Sequence, residues 1–180
     1  MNWMKKVAVA LVCLLPLGLQ AAKVDTLQVK SPSMNKSIEV VVVSPDVAAT
    51  KACPVIYLLH GYGGNARTWV GIKPDLSKIA DEKGIFFVCP DGKNTWYWDS
   101  PLNADVRYET FISDELVKYV DSHYKTVADR KGRAITGLSM GGHGAMWNGL
   151  RHSDVFSAAG STSGGVDIRP FPKNWEMSVQ

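Results

Sequence analysis

The chain has 180 residues, 46% of them hydrophobic and 21% charged, a balance that fits one globular domain and excludes disordered, collagen-like and low-complexity classes. The net charge is +3, and setting aside Lys5 and Lys6 leaves eighteen basic against seventeen acidic residues, no basis for binding nucleic acid or an anionic membrane surface. The three cysteines, Cys13, Cys53 and Cys89, have no metal-ligand spacing and are too sparse for a disulfide scaffold.

Residues 1–22 read as a signal peptide. Met1 to Lys6 is short and basic, Val7 to Leu19 is apolar, and Gln20-Ala21-Ala22 closes the run with small residues. The apolar run is short for a membrane span. Cleavage is expected after Ala21 or Ala22. That leaves a secreted or periplasmic domain over 23–180 with no stable membrane anchor.

The rest alternates strands and helices. Ser37 to Ser44 carries four consecutive valines and reads as a strand, and Pro54 to Leu59 is a continuous apolar run of the doubly buried kind. Asp75 to Lys83 has helical spacing, with Gly84 placed as its C-cap. Ile85 to Cys89 is another buried strand, closed by Pro90-Asp91-Gly92. Tyr108 to Tyr124 puts Ile112, Leu116, Tyr119 and Val120 on one helical face. Arg133 to Leu138 is a strand, Met140 to Arg151 a helix and Phe156 to Ser161 a final strand. This order implies an α/β fold: a mostly parallel sheet with helices on both faces. Cys53 and Cys89 then lie at opposite ends of the sheet as free, buried thiols.

The chemistry sits at Gly137-Leu138-Ser139-Met140-Gly141. A G-x-S-x-G between a strand and a helix holds the serine on a strained turn with its hydroxyl exposed. Ser139 is the candidate nucleophile. An acyl-transfer site also needs two N–H donors for the oxyanion. Met140, the residue after the nucleophile, is placed to supply one. Tyr62, in His60-Gly61-Tyr62-Gly63-Gly64 after a buried strand, supplies the other through its backbone. His60 is read as an anchor of that loop rather than a general base. Trp96-Tyr97-Trp98 follows the Pro90-Asp91-Gly92 turn, where Trp96 and Tyr97 either bind substrate by stacking on a sugar or phenolic ester or plug the core. Arg67 and Trp69 have the same two readings.

These segments, with Tyr108-Glu109-Thr110-Phe111 and the extended elbow through Gly142-His143-Gly144-Ala145, resemble the esterase D-type esterases over about residues 37–165. The resemblance implies the α/β-hydrolase fold, with Ser139 as nucleophile and the Tyr62 and Met140 backbone as oxyanion hole. The sequence carries no phosphate loop, dinucleotide fingerprint or metal-binding cluster, so no cofactor or metal is expected. In such enzymes the triad runs serine, acid, histidine. Only His143 and His152 follow Ser139, both within or at the end of the elbow helix, and neither suits the role. Asp154 and Asp167 have no suitable histidine after them. The triad acid and histidine are therefore not expected in this chain, which reads as an N-terminal fragment of a longer esterase or as a truncated product. The expected function is a secreted serine carboxylesterase acting on short-chain, acetyl or feruloyl esters, including those of carbohydrates. The alternatives are an acyltransferase on the same scaffold and a non-catalytic carbohydrate-binding relic.

Overall fold

A computed structural model of the protein describes residues 22–167. The expected signal peptide, apart from Ala22, lies outside the described residues.

Six strands form one sheet: β1 (Lys23–Ser31), β2 (Lys36–Ser44), β3 (Val55–Leu59), β4 (Phe86–Pro90), β5 (Arg133–Leu138) and β6 (Ala158–Thr162), in the spatial order β1-β2-β4-β3-β5-β6. β4, β3, β5 and β6 run parallel, while β2 pairs antiparallel with both β4 and β1. The parallel part is the one read from the sequence. β1 is an addition, and its composition shows why no apolar run marks it: in KVDTLQVKS only Val29 and Ser31 are buried. β6 starts two residues later than the sequence suggests. Phe156 turns into the core instead, edge-on to Tyr57 with ring centroids 5.6 Å apart.

The sheet carries a separate core on each face, and strand alternation sorts residues between them. Val40, Val42, Tyr57, Leu59, Phe86 and Val88 face one core, joined by Met140 and Ala145 of the elbow helix α5 (Met140–Arg151). Val41, Val43, Leu58, Phe87 and Cys89 face the other, covered by Leu76 and Ala80 of α2 (Leu76–Lys83). α2 ends on Gly84 at φ 63°, the left-handed cap expected there. A short helix α1 (Thr68–Ile72) precedes it. Cys53 and Cys89 are both free and buried, and burial pushes the Cys89 thiol up to about 12.

The helix expected over 108–124 is three pieces: α3 (Tyr108–Thr110), a π turn at Phe111–Glu115, and α4 (Leu116–His123). Phe111, Ile112 and Ser113 are buried in the π turn, and the Ser113 hydroxyl donates to the Glu109 carbonyl at 2.7 Å. The wider turn keeps both ends of the segment attached. At one end Glu115 accepts from Ser31 Oγ (2.6 Å) and from the Ser33 N–H (2.7 Å), tying the helix to the β1–β2 turn. At the other, Glu109 reaches α5. It accepts from Trp147 Nε1 at 2.7 Å, Arg151 Nε at 2.8 Å and His152 Nε2 at 2.8 Å.

Burial alone would raise the Glu109 carboxyl, but the donors on Arg151, Trp147 and His152 outweigh it and hold the group below the usual carboxylate value. A lowered carboxyl stabilises the fold above its unfolded pKa, about 4.3, and this contribution fades as pH falls through the folded value. Glu109→Ala is expected to destabilise the protein by about 2–3 kcal/mol at pH 7, because three donors lose their acceptor. Glu109→Gln should lose less and flatten the acid limb of stability. Denaturant melts at pH 7 and in the acid range check both, and equal melts for all three proteins would refute the link.

Candidate active site

β5 runs into α5 through one residue, Ser139, which sits at φ 54° and ψ −117°. A non-glycine residue at positive φ costs on the order of 1–3 kcal/mol and persists only where its surroundings enforce it. The enforcement here is visible. The Ser139 N–H donates to the Thr162 carbonyl of β6 at 2.8 Å, and its own carbonyl accepts from the His143 N–H at 3.0 Å. The helix start is pressed against the end of β3. A Cβ on Gly141 would overlap the Leu59 carbonyl, and one on Gly137 would overlap the Gly141 backbone. Both glycines are there for close approach. Ser139 is exposed, as the elbow motif requires, and among the described residues no hydrogen bond reaches its hydroxyl. Met140, buried through its side chain, opens α5, where the first backbone N–H groups have no partner within the helix.

The His60–Gly64 loop lies directly beside this turn. A Cβ built on Gly61 would stand 3.5 Å from the Ser139 Cβ. The loop closes on itself, the Gly64 N–H donating to the Gly61 carbonyl at 3.0 Å. Gly63 takes a left-handed φ of 76°, and its N–H donates to Asn94 Oδ1 at 2.8 Å. Tyr62 projects from the loop half exposed.

His60 is the anchor, as read from the sequence. It is 1% exposed. Its Nε2 accepts from the Gly92 N–H at 2.9 Å, so Nδ1 carries the proton and donates to the Gly61 carbonyl at 2.7 Å. With both ring nitrogens occupied, His60 has no free lone pair for the serine. Asp91 Oδ1 stands 3.5 Å from Nε2. Burial works to raise the Asp91 carboxyl, but the ammonium and backbone N–H of Lys93 hold it well below the usual carboxylate range.

The turn after β4 is strained along its length, with Lys93, Trp96 and Tyr97 all at positive φ (50°, 59° and 62°). The substrate-binding expectation for Trp96 and Tyr97 does not fit their burial. Tyr97 is fully buried, its ring packed against Gly92 and Gly144 and its hydroxyl donating to the His60 carbonyl at 3.1 Å. Trp96 is 5% exposed and meets His143 edge-on at 5.3 Å. The plug reading describes both. Asn148 of α5 fixes the turn by donating to the Tyr97 carbonyl at 2.9 Å.

The late histidines are each held through one ring nitrogen, and His143 Nε2 is buried without a hydrogen-bond partner. His143 Nδ1 donates to the Gly165 carbonyl at 2.8 Å, with its ring among Trp96, Trp98 and Trp147. His152 donates to Glu109. Among the described residues, no histidine ring is hydrogen-bonded to the Ser139 hydroxyl.

The elbow yields a direct test. Gly141→Ala is expected to cost several kcal/mol, since its new methyl meets rigid backbone rather than a movable side chain. Thermal melting checks it, and a variant within 1 °C of the parent would show that the contact yields freely.

The family model described as "Putative esterase" matches residues 31–178. Esterase Rv1288 of Mycobacterium tuberculosis is 31% identical over 149 residues, covering 79% of this chain and 32% of that protein. An endo-1,4-beta-xylanase/feruloyl esterase of Xylanibacter ruminicola is 34% identical over 123 residues, covering 63% of this chain and 17% of that one. A solved ferulic acid esterase superposes with a TM-score of 0.72 at 32% identity, over 85% of this chain and 64% of its own. The chain therefore spans a third or less of the length of these two curated relatives. Its architecture is the α/β-hydrolase fold of these neighbours. On the family match and the elbow geometry together, the chain belongs to this esterase family.

Proposed function

We propose that the chain carries the nucleophile and oxyanion hole of a serine carboxylesterase. The observation that supports this best is the strained, exposed Ser139 with the backbone of the His60–Gly64 loop packed against it. In this reading Ser139 Oγ attacks the ester carbonyl carbon. The carbonyl π pair moves to oxygen, where the N–H groups of Tyr62 and Met140 stabilise the negative charge. Collapse of the tetrahedral intermediate breaks the bond from the carbonyl carbon to the alkoxide oxygen, which takes up the proton given up by Ser139 and leaves as the alcohol, and an acyl-serine remains. Water then attacks that acyl group in the same way and releases the acid. The similarity to a feruloyl esterase and a ferulic acid esterase favours aromatic or short acyl groups on carbohydrate as substrates.

The serine proton needs a base, and among the described residues no histidine ring is hydrogen-bonded to the Ser139 hydroxyl. The 180-residue chain alone is therefore expected to react slowly with a fluorophosphonate probe and to be accelerated by added imidazole. Labelling should map to Ser139 and vanish in Ser139→Ala. Labelling of another serine, or none with imidazole present, would sink the assignment and favour a non-catalytic relic. Where turnover is measurable, partition of the acyl group between water and an added sugar alcohol separates hydrolase from transferase.

Tyr62 acts through its N–H in this reading. Tyr62→Phe should keep most of the Ser139 reactivity, whereas Tyr62→Pro, which removes the donor, should lose on the order of 10²–10³ in rate. A large loss in the Phe variant would move the role to the phenol.

Export completes the proposal. The first described strand begins at Lys23, where cleavage after Ala22 would leave the new N-terminus. A secreted or periplasmic product is expected to begin at Ala22 or Lys23, which N-terminal sequencing reads directly. Recovery of the intact leader on a cytoplasmic protein would refute it.

A further inference from the structure

After β6 the chain stays against the start of α5, and three contacts follow one another along the two segments. The Ser139 N–H donates to the Thr162 carbonyl at 2.8 Å. Gly164 then lies backbone to backbone on the first turn of α5: a Cβ on it would stand 2.7 Å from the Gly142 carbonyl carbon and from the His143 nitrogen. One residue further, His143 Nδ1 donates to the Gly165 carbonyl at 2.8 Å. The first two contacts are made by backbone, the third by a side chain.

Between the first contact and the second lies Ser163, a non-glycine residue at φ 53°. Left-handed backbone at a serine costs free energy and persists only where the chain on both sides is held. On the near side the hold is the β5–β6 ladder, whose last pair is Leu138 with Thr162. On the far side the Val166 N–H donates to the Gly164 carbonyl at 2.9 Å, a bond internal to the loop. Ser161, Thr162, Ser163 and Val166 are exposed, so burial does not pin the loop. The His143 side chain is what ties its far end to the elbow helix.

The tie is itself well fixed. The imidazole meets Trp96 and Trp98 edge-to-face, with centroids 5.3 and 6.0 Å away, and lies nearly parallel to Trp147 at 6.3 Å. Rings packed in these geometries resist rotation of the imidazole. Donation to a carbonyl oxygen requires the proton on Nδ1, which leaves a lone pair on the buried, unpartnered Nε2.

We propose that His143 is a positioning residue for the nucleophile: by holding Gly165 it keeps the left-handed turn at Ser163 closed, and with it the Thr162 carbonyl that fixes the Ser139 N–H. The inference rests on the esterase reading above. The imidazole takes no proton from the serine and touches no substrate. Its effect passes through Gly165 and Ser163 to Thr162, whose carbonyl lies in the peptide plane about which φ of Ser163 turns. With Gly165 released, Ser163 relaxes to negative φ, the Thr162 carbonyl turns away, and Ser139 loses the bond that enforces its own positive φ.

Amide hydrogen exchange on the full chain reads the Ser139 N–H directly. His143→Ala is expected to speed its exchange roughly tenfold, and so is His143→Gln, whose amide nitrogen falls near the Nε2 position and misses Gly165. His143→Asn places an N–H donor where Nδ1 stands and should return exchange to within about twofold of the parent. Fluorophosphonate labelling of Ser139, with imidazole supplied as base, should follow the same order: roughly tenfold slower for Ala and Gln, close to the parent for Asn. An amide cannot take up the serine proton, so rescue by Asn also excludes a general-base role for His143. Unchanged Ser139 exchange in the Ala and Gln variants, or an Asn variant that exchanges as fast as Ala, overturns the proposal. Should Ala and Gln fail to fold, the Asn variant and the parent decide: parent-like exchange in Asn, with the parent's His143 proton on Nδ1 in long-range nitrogen–proton spectra, upholds it, and a proton on Nε2 overturns it. The two readings fail separately. A parent that is not labelled at Ser139 while exchange keeps the expected order refutes the esterase and leaves the hold on the turn. A parent that is labelled, with Ala and Gln variants that label and exchange like it, refutes the positioning role and leaves the esterase.

Discussion

The site hangs on one buried imidazole. His60 is held at both ring nitrogens, by the Gly92 N–H and the Gly61 carbonyl, while its own carbonyl receives the Tyr97 hydroxyl. Two segments that are far apart in sequence thus meet on one residue: the oxyanion loop and the turn after β4, which carries the plug that packs under α5. A buried group with every polar atom satisfied is rigid, since rotating it would strand donors and acceptors without water to replace them. The position of the Gly61 backbone beside Ser139 follows from that rigidity. A catalytic role for His60 is incompatible with it, because the proton traffic of a base would break the bonds that shape the loop.

The strain in the site has a matching distribution. Ser139, Lys93, Trp96 and Tyr97 all hold positive φ, and each lies in a turn that leaves the C-terminal end of a parallel strand. Such backbone is stable only because the surroundings over-determine it. Here the surroundings are glycines that let backbone touch backbone, as at Gly137 and Gly141, and side-chain amides that catch loop groups, as Asn94 and Asn148 do. The preorganised hole and the strained nucleophile are two results of the same tight junction between the end of β3 and the start of α5.

Much of this was legible in the sequence, for physical reasons. The parallel strands are continuous apolar runs because both faces are buried, and Val40 to Val43 split alternately between two cores. The elbow announced itself through glycines at fixed offsets around Ser139. Strand β1 escaped notice because only one of its faces meets a core near its end, so its pattern of Lys, Asp, Thr and Gln resembles a surface segment. Trp96 and Tyr97 stayed open between two readings in the sequence because aromatic residues after a strand suit ligand stacking and core filling equally. What decides for Tyr97 is the space made by Gly92 and by Gly144, the second of which is distant in sequence. The hold of Glu109 on α5 was invisible for a similar reason: its three donors lie on one face of a helix about forty residues away.

The π turn at Phe111–Glu115 makes the segment intolerant of a change in length. A π turn accommodates one residue more than an α turn of the same rise. Deleting one residue there would let the helix run on as a regular spiral, and each residue of a spiral turns the chain by about 100°. Glu115 would keep its hold on the β1–β2 turn, but Glu109 would swing to another face, away from Trp147, Arg151 and His152. Substitutions that preserve burial can pass through this stretch, whereas a gap of a single codon would unfasten the helix behind the nucleophile. The spacing between Glu109 and Glu115 is thus a ruler laid between the two ends of the molecule's first and second halves.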